Sequence, residues 1–146
     1  PNKRHYVIET VGKHYAHAHH ASDLDAARAV LEEAHPDYLP SFDAVLAARS
    51  LSLYNMFAMR RQHLDEYCQW LFPVLEEVWT RIPWDSYGPT QQRAIGYLGE
   101  RLFNVWLRQR ADLRVTHRPI HNTEREPVIS KGVKMVGRKL GVGKAD

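Results

Sequence analysis

The chain has 146 residues, 44% of them hydrophobic and 25% charged, with a formal net charge of +3 and one cysteine. That length and mixture describe a single globular domain with enough chain for a core, and exclude a disordered or fibrous protein. No apolar run approaches the roughly 18–20 residues of a membrane span, and the lone Cys68 excludes an internal disulfide framework and fits a reducing, cytoplasmic setting.

In chain order, "HYVIET" (5–10) is β-branched and aromatic enough to be a short strand. Residues 13–22 follow as a polar, His-rich connection, where Gly12 and the lack of periodicity argue against a helix. "SDLDAARAVLEEAH" (22–35) reads as a helix, with Ser22 as its cap, Asp23 and Asp25 in its first turn, and an apolar stripe of Leu24, Ala27, Val30 and Leu31. Two prolines in "HPDYLP" end it. "SFDAVLAARS" (41–50) is a second short helix and "SLYNMFAM" (52–59) a buried strand.

The longest element is "RQHLDEYCQWLFPVLEEVWTRI" (61–82), where Leu64, Cys68, Leu71, Leu75, Val78 and Ile82 recur at three- and four-residue spacing. Pro73 inside it predicts a kink or a split. After a turn at 83–89, residues 90–110 form a third strong helix, capped by Thr90, with Ile95, Leu98, Leu102, Val105 and Trp106 buried and Arg93, Tyr97, Glu100 and Asn104 on another face. Residues 113–120 read as a strand. Three main helices with a few short strands predict a mainly helical part of an α/β fold whose principal sheet lies elsewhere.

Charge is unevenly distributed. Residues 1–112 carry 12 Lys/Arg against 14 Asp/Glu, and residues 113–146 carry 8 against 3. In the tail, Lys131, Lys134, Arg138 and Lys139 interleave with Val133, Met135, Val136 and Leu140, a pattern suited to an anionic membrane surface or to a frayed terminus. The slightly acidic body, without an aromatic–basic platform, argues against nucleic acid as a partner.

Several groups could carry chemistry. "KHYAHAHHASDLD" (13–25) gathers four histidines and two aspartates, open to several readings: a polar loop, a polar-ligand or substrate-binding edge, a histidine acid–base site oriented by Asp23 or Asp25, or a metal site. Asn55 interrupts an apolar stretch, where it either stitches backbone or faces a ligand, and Arg60 and Arg61 at the end of that stretch suit phosphate or carboxylate recognition. Arg93 and Glu100 lie two turns apart on one helix face. Gly96 and Gly99 each cost that helix about 1 kcal/mol relative to alanine, which predicts close packing against them. The dinucleotide, P-loop, nucleophile-elbow, HExxH and CxxC signatures are absent.

The segments "RHYVIETVGKHYAHAHHASDLD", "PDYLPSFDAVL", "YNMFAMRRQHLDEYCQWLFPVLEE" and "QQRAIGYLGERLFNVWL" together resemble a bacterial family of glycosyltransferases for capsular polysaccharide, exopolysaccharide and O-antigen, long described as a domain of unknown function. The resemblance runs from about residue 3 to about residue 121 and is most specific over Tyr54–Phe72. It implies a GT-A-like enzyme whose nucleotide-binding half, with its acidic metal motif, is not in these residues. Residues 1–125 would be the C-terminal, acceptor-side half and 126–146 a basic tail.

By that resemblance His17, His20 and Asp23 face sugar hydroxyls, Asn55 and Met56 match the family's strand and Arg93 and Glu100 its last helix. With Arg60, the residues Asn55 and Arg93 are expected to bind substrate, and Glu100 or Asp23 to take the proton from the acceptor hydroxyl. Mn²⁺ or Mg²⁺ neutralises the departing diphosphate, with His117 or His121 as a late ligand. The implied partners are a nucleoside-diphosphate sugar and a saccharide or lipid-linked saccharide at the inner face of the plasma membrane. Catalysis would belong to the complete enzyme. A non-catalytic helical binding or assembly module is the alternative. In either case an uncovered strand edge predicts self-association.

Overall fold

The computed structural model describes residues 1–120. The described residues are mainly helical, with five α-helices and one two-stranded sheet. Strand β1 (Arg4–His5) pairs antiparallel with β2 (Ser50–Leu51), Arg4 opposite Leu51. Helices α1 (Val11–Ala18), α2 (Ala21–Ala34), α3 (Leu39–Ala47), α4 (Arg61–Arg81) and α5 (Ala94–Gln109) make up the rest, with short 3₁₀ turns at 36–38, 84–86 and 91–93. No described helix is long and apolar enough to cross a membrane.

The expected His-rich connection is instead largely helix α1. Thr10 starts it, its hydroxyl accepting the Lys13 N–H at 3.3 Å. Val11 and Tyr15, one turn apart, are fully buried and supply the apolar side that eight residues can offer. Gly12, the residue that spoke against a helix, has a packing role. A Cβ there would come within 3.3 Å of both the Cβ and the carbonyl oxygen of Leu46, so glycine lets α1 approach α3.

Helix α2 ends at Ala34, just before Pro36, as the sequence predicts, but the prolines do more than end it. Pro36 and Pro40 stand in the first turns of the 3₁₀ turn and of α3, where no intrahelical donor is needed, and so start elements. Pro73 neither splits nor ends α4, which runs unbroken from Arg61 to Arg81 with Pro73 on its exposed side. Ser22 is not the cap of α2, where His20 holds that position; Thr90 holds the cap position of the 91–93 turn and Arg93 that of α5, none of them with a side-chain capping bond.

The main core lies between α2, α3, α4 and α5, around Leu31, Phe42, Val74, Leu98, Leu102 and Trp106. Helix α5 buries four of its five predicted stripe residues, with Ile95 half-buried. On α4 the buried side is rotated towards Tyr67, Trp70, Leu71, Val74 and Val78, leaving Leu64, Cys68 and Leu75 half-buried. Aromatic residues at 67 and 70 draw the face round, because a large ring gains more from burial than the smaller side chains beside it. A second small cluster of Tyr6, Val11, Leu51 and Leu53 sits under the two strands.

The strands are far shorter than expected. Residues 52–59 turn instead of extending, and Tyr54 (φ 76°) and Asn55 (φ 46°) both adopt the left-handed conformation. Residues 113–120 form no strand among the described residues.

Candidate functional site

Two polar centres and one groove bring the chemistry-bearing residues together. The first centre is Asp23, which has no exposed surface. Its carboxylate accepts the Tyr15 hydroxyl at 3.2 Å and the Tyr87 hydroxyl at 2.7 Å. Burial and the adjacent Asp23 charge push the Tyr15 hydroxyl well up, and burial with the bond to Asp23 pushes Tyr87 up to about 12. Arg101, 4% exposed, lies with its guanidinium 5.1 Å from the Tyr15 ring centroid.

The second centre joins α5 to the turn after β2. Asn104 uses both ends of its amide on one residue, accepting the Ser52 N–H at 2.9 Å and donating to the Ser52 carbonyl at 2.8 Å. One turn earlier, Glu100 accepts the Tyr54 N–H at 2.9 Å with one oxygen and Arg101 at 2.9 Å with the other. The Asn55 amide reaches the Gly96 carbonyl at 3.4 Å. Helix α5 thus clamps a left-handed turn at three points. Such backbone costs about 1–3 kcal/mol per residue and persists only where its surroundings hold it.

The turn forms one wall of a groove of about 1130 Å³ that continues along α5 and the extended segment 112–120. Asn55, Met56, Phe57, Arg60, His63 and His117 line it. Phe57 is 40% exposed, and its ring stacks on Phe103 at 4.8 Å with Tyr67 edge-on at 5.7 Å. The Nδ1 of His63 makes no hydrogen bond among the described residues.

The residues expected to act together are therefore dispersed. Asn55, Met56, Arg60 and His117 share the groove. His17 lies outside the groove lining, on α1, with its Nδ1 2.7 Å from one Glu9 oxygen while His14 holds the other at 2.7 Å. Those two bonds, His14 first, hold the Glu9 carboxyl below its usual range. His20 stacks on Tyr87 at 4.3 Å, and the exposed Arg93 lies over Tyr97 at 5.7 Å. His19 stacks on Tyr97 at 4.1 Å, and burial lowers its pKa. The close packing expected at both glycines is met at neither: nothing stands within 4 Å of a Cβ at Gly96, and a Cβ at Gly99 would only touch Asn55 and Leu75 at 4.0 Å.

The described residues do not fit a divalent metal. No three of their His, Cys, Asp or Glu side chains come close enough to hold one. The Nδ1 of His117 pairs with the Pro1 carbonyl oxygen at 3.0 Å. His121, Lys131, Lys134, Arg138 and Lys139 lie outside the described residues.

Sequence reasoning missed Glu9, Tyr15, Tyr87 and Phe57. Glu9 carried a signal, since Glu-Thr before a short helix places a carboxylate beside its first turn. Phe57 carried none, reading as one more apolar residue of "NMFAM".

Residues 1–111 match a family described as a domain of unknown function, DUF4422. The fold is similar to that of a solved structure titled "WbbM bifunctional glycosytransferase apo structure", with a TM-score of 0.71 and 29% identity, over 75% of this chain and 20% of that one. This chain thus spans a fifth of the length of that structure. No curated protein matches it.

Proposed function

The chain belongs to the DUF4422 family, and we propose that it forms the C-terminal, acceptor-side part of a GT-A-like, sugar-nucleotide-dependent glycosyltransferase of bacterial surface-polysaccharide synthesis. The single observation that carries this reading is the combined sequence and fold likeness to the bifunctional glycosyltransferase. In this reading the complete enzyme moves a sugar from a nucleoside diphosphate to a saccharide hydroxyl. The hydroxyl oxygen bonds to the anomeric carbon, the diphosphate leaves with the bonding pair, and the hydroxyl proton passes to a base.

The groove supplies what a polar substrate needs: the Asn55 amide, the Arg60 guanidinium and the imidazoles of His63 and His117. The two carboxylates expected as bases do other work. Asp23 is sealed between two tyrosines, and Glu100, 17% exposed, has both oxygens engaged by the turn and by Arg101. We therefore assign the proton acceptor, and the ligands for Mn²⁺ or Mg²⁺, to other parts of the complete enzyme.

The test is binding of a panel of UDP- and GDP-sugars to the complete enzyme, followed by ligand-observed NMR with and without Mn²⁺. Metal-dependent binding that Arg60→Ala weakens supports the reading. A second reading, a non-catalytic assembly module, is favoured by the engagement of both carboxylates in framework bonds. Binding to phosphatidylglycerol vesicles with no response to any nucleotide sugar would select that one.

A further inference from the structure

We infer that the groove is an elongated saccharide site, in which a sugar ring packs on the exposed part of the Phe57 ring and its hydroxyls bond to the Asn55 amide, with Glu100 and Asn104 as positioning residues. The inference rests on the transferase reading and deepens it: the acceptor is an oligosaccharide chain, and its recognition is built into the turn after β2.

Phe57 is prepared for such contact. One ring face lies on Phe103 and the edge of Tyr67 abuts it, so the side chain has little freedom left to lose when a ligand arrives. The remaining surface opens to the groove. The electron-rich face of an aromatic ring attracts weakly positive C–H groups, which a pyranose presents on one of its faces while its hydroxyls point to the side. Asn55, two residues away, gives one amide hydrogen to the Gly96 carbonyl and keeps a second donor and an acceptor, the set that a pair of neighbouring hydroxyls calls for.

Size separates this ligand from a nucleobase. At about 1130 Å³ the groove exceeds the roughly 300–1,000 Å³ of ordinary small-molecule pockets, and it runs on past Arg60 and His63 to the 112–120 segment. A single base would leave most of it empty, whereas several linked sugar rings would fill it.

The left-handed turn sets the platform's position. Asn55 at φ 46° exists because Glu100 holds the Tyr54 N–H and Asn104 holds Ser52 on both sides. Glu100 acts on the ligand through the backbone, so what matters for the turn is an acceptor oxygen at the Tyr54 N–H, which an amide keeps while giving up the bond to Arg101.

The experiment is saturation-transfer NMR on the full chain with gluco-, galacto- and manno-configured disaccharides and hexasaccharides, and with uridine as the nucleobase probe. We expect at least one hexasaccharide to bind more tightly than its disaccharide. Phe57→Ala should weaken it about tenfold or more and Phe57→Trp should preserve it, as for an aromatic anchor. Glu100→Ala should weaken binding and Glu100→Gln recover part of it, whereas a proton-accepting carboxylate would not be rescued by the amide. Phe57 is partly exposed, so its variants test the site even if Glu100→Ala unfolds. Uridine saturating at the groove with Phe57-dependent affinity overturns the saccharide assignment, as does oligosaccharide binding that ignores Phe57→Ala. No oligosaccharide binding alongside intact nucleotide-sugar binding overturns this inference and leaves the transferase reading standing. Loss of both overturns both.

Discussion

The Asp23 carboxylate and the Tyr87 hydroxyl, 64 positions apart in the chain, meet at 2.7 Å. Tyr15 donates to the other oxygen of the same carboxylate, so one buried anion ties α1, the start of α2 and the turn before α5. Removing it leaves two buried hydroxyls without an acceptor, at about 1–3 kcal/mol each. Asp23→Ala is therefore expected to lose about 2–5 kcal/mol in urea unfolding, and Tyr87→Phe about 1 kcal/mol. A loss under about 1 kcal/mol for Asp23→Ala would show that the three elements hold without it.

The same pair sets the alkaline limit of the fold. Tyr87 has an ordinary value of 10.0 and a folded value of about 12, and Tyr15 is raised still further. Above pH 10 the unfolded chain releases these protons while the folded chain keeps them, so stability is complete below pH 10 and falls as pH rises through 12. Urea midpoints between pH 9 and 12 should decline, and Tyr87→Phe should flatten part of that decline. A midpoint independent of pH in that range would refute the assignment.

On the acidic side His19 acts with the opposite sign. Burial lowers its pKa from 6.5, so the unfolded chain takes up a proton first and stability is lost as pH falls below 6.5. Replacing His19 by Gln should reduce that slope, measured by thermal unfolding at pH 5 and pH 7.5.

Leu71 and Trp106 belong to one core between α4 and α5. Truncating either to alanine should cost about 2–5 kcal/mol. Costs under about 1 kcal/mol at both sites would mean that the two helices are not packed as described.

Two helix glycines should respond differently to alanine. At Gly96 nothing stands within 4 Å of a new Cβ, so Gly96→Ala should stabilise by about 0.5–1 kcal/mol through helix propensity alone. At Gly12 the new atom meets Leu46 backbone and side chain at 3.3 Å, so Gly12→Ala should gain nothing or lose stability. Equal gains at both would contradict the close approach of α1 and α3.

What could be read in advance follows from element length. Helices α4 and α5 repeat their apolar spacing over four or more turns, so their existence and the inner side of α5 were visible in the sequence. Helix α1 buries only Val11 and Tyr15, and its glycine serves a neighbour distant in the chain, so no local pattern marked it. The strands failed for a related reason. Val7 and Ile8 have high strand propensity, yet they are 78% and 52% exposed, because pairing stops after two residues. The groove's Asn55 and Arg60 were visible as polar residues within or beside an apolar run, and Met56 only through the family resemblance. Asp23 was visible only as a charge, since the two tyrosines that claim it lie 8 and 64 positions away.

Pro73 leaves α4 continuous in shape but not in its hydrogen-bond ladder. With no N–H at residue 73, the carbonyl of Gln69 loses its helical donor, and both residues face solvent, where water takes up the vacant acceptor. A ladder broken at one rung opens in two pieces. In deuterated water the amides before residue 73 should exchange as one group, locked by Tyr67, Trp70 and Leu71, and those after it as a second group that depends on Val74 and Val78. One rod in outline, α4 would then be two units in time.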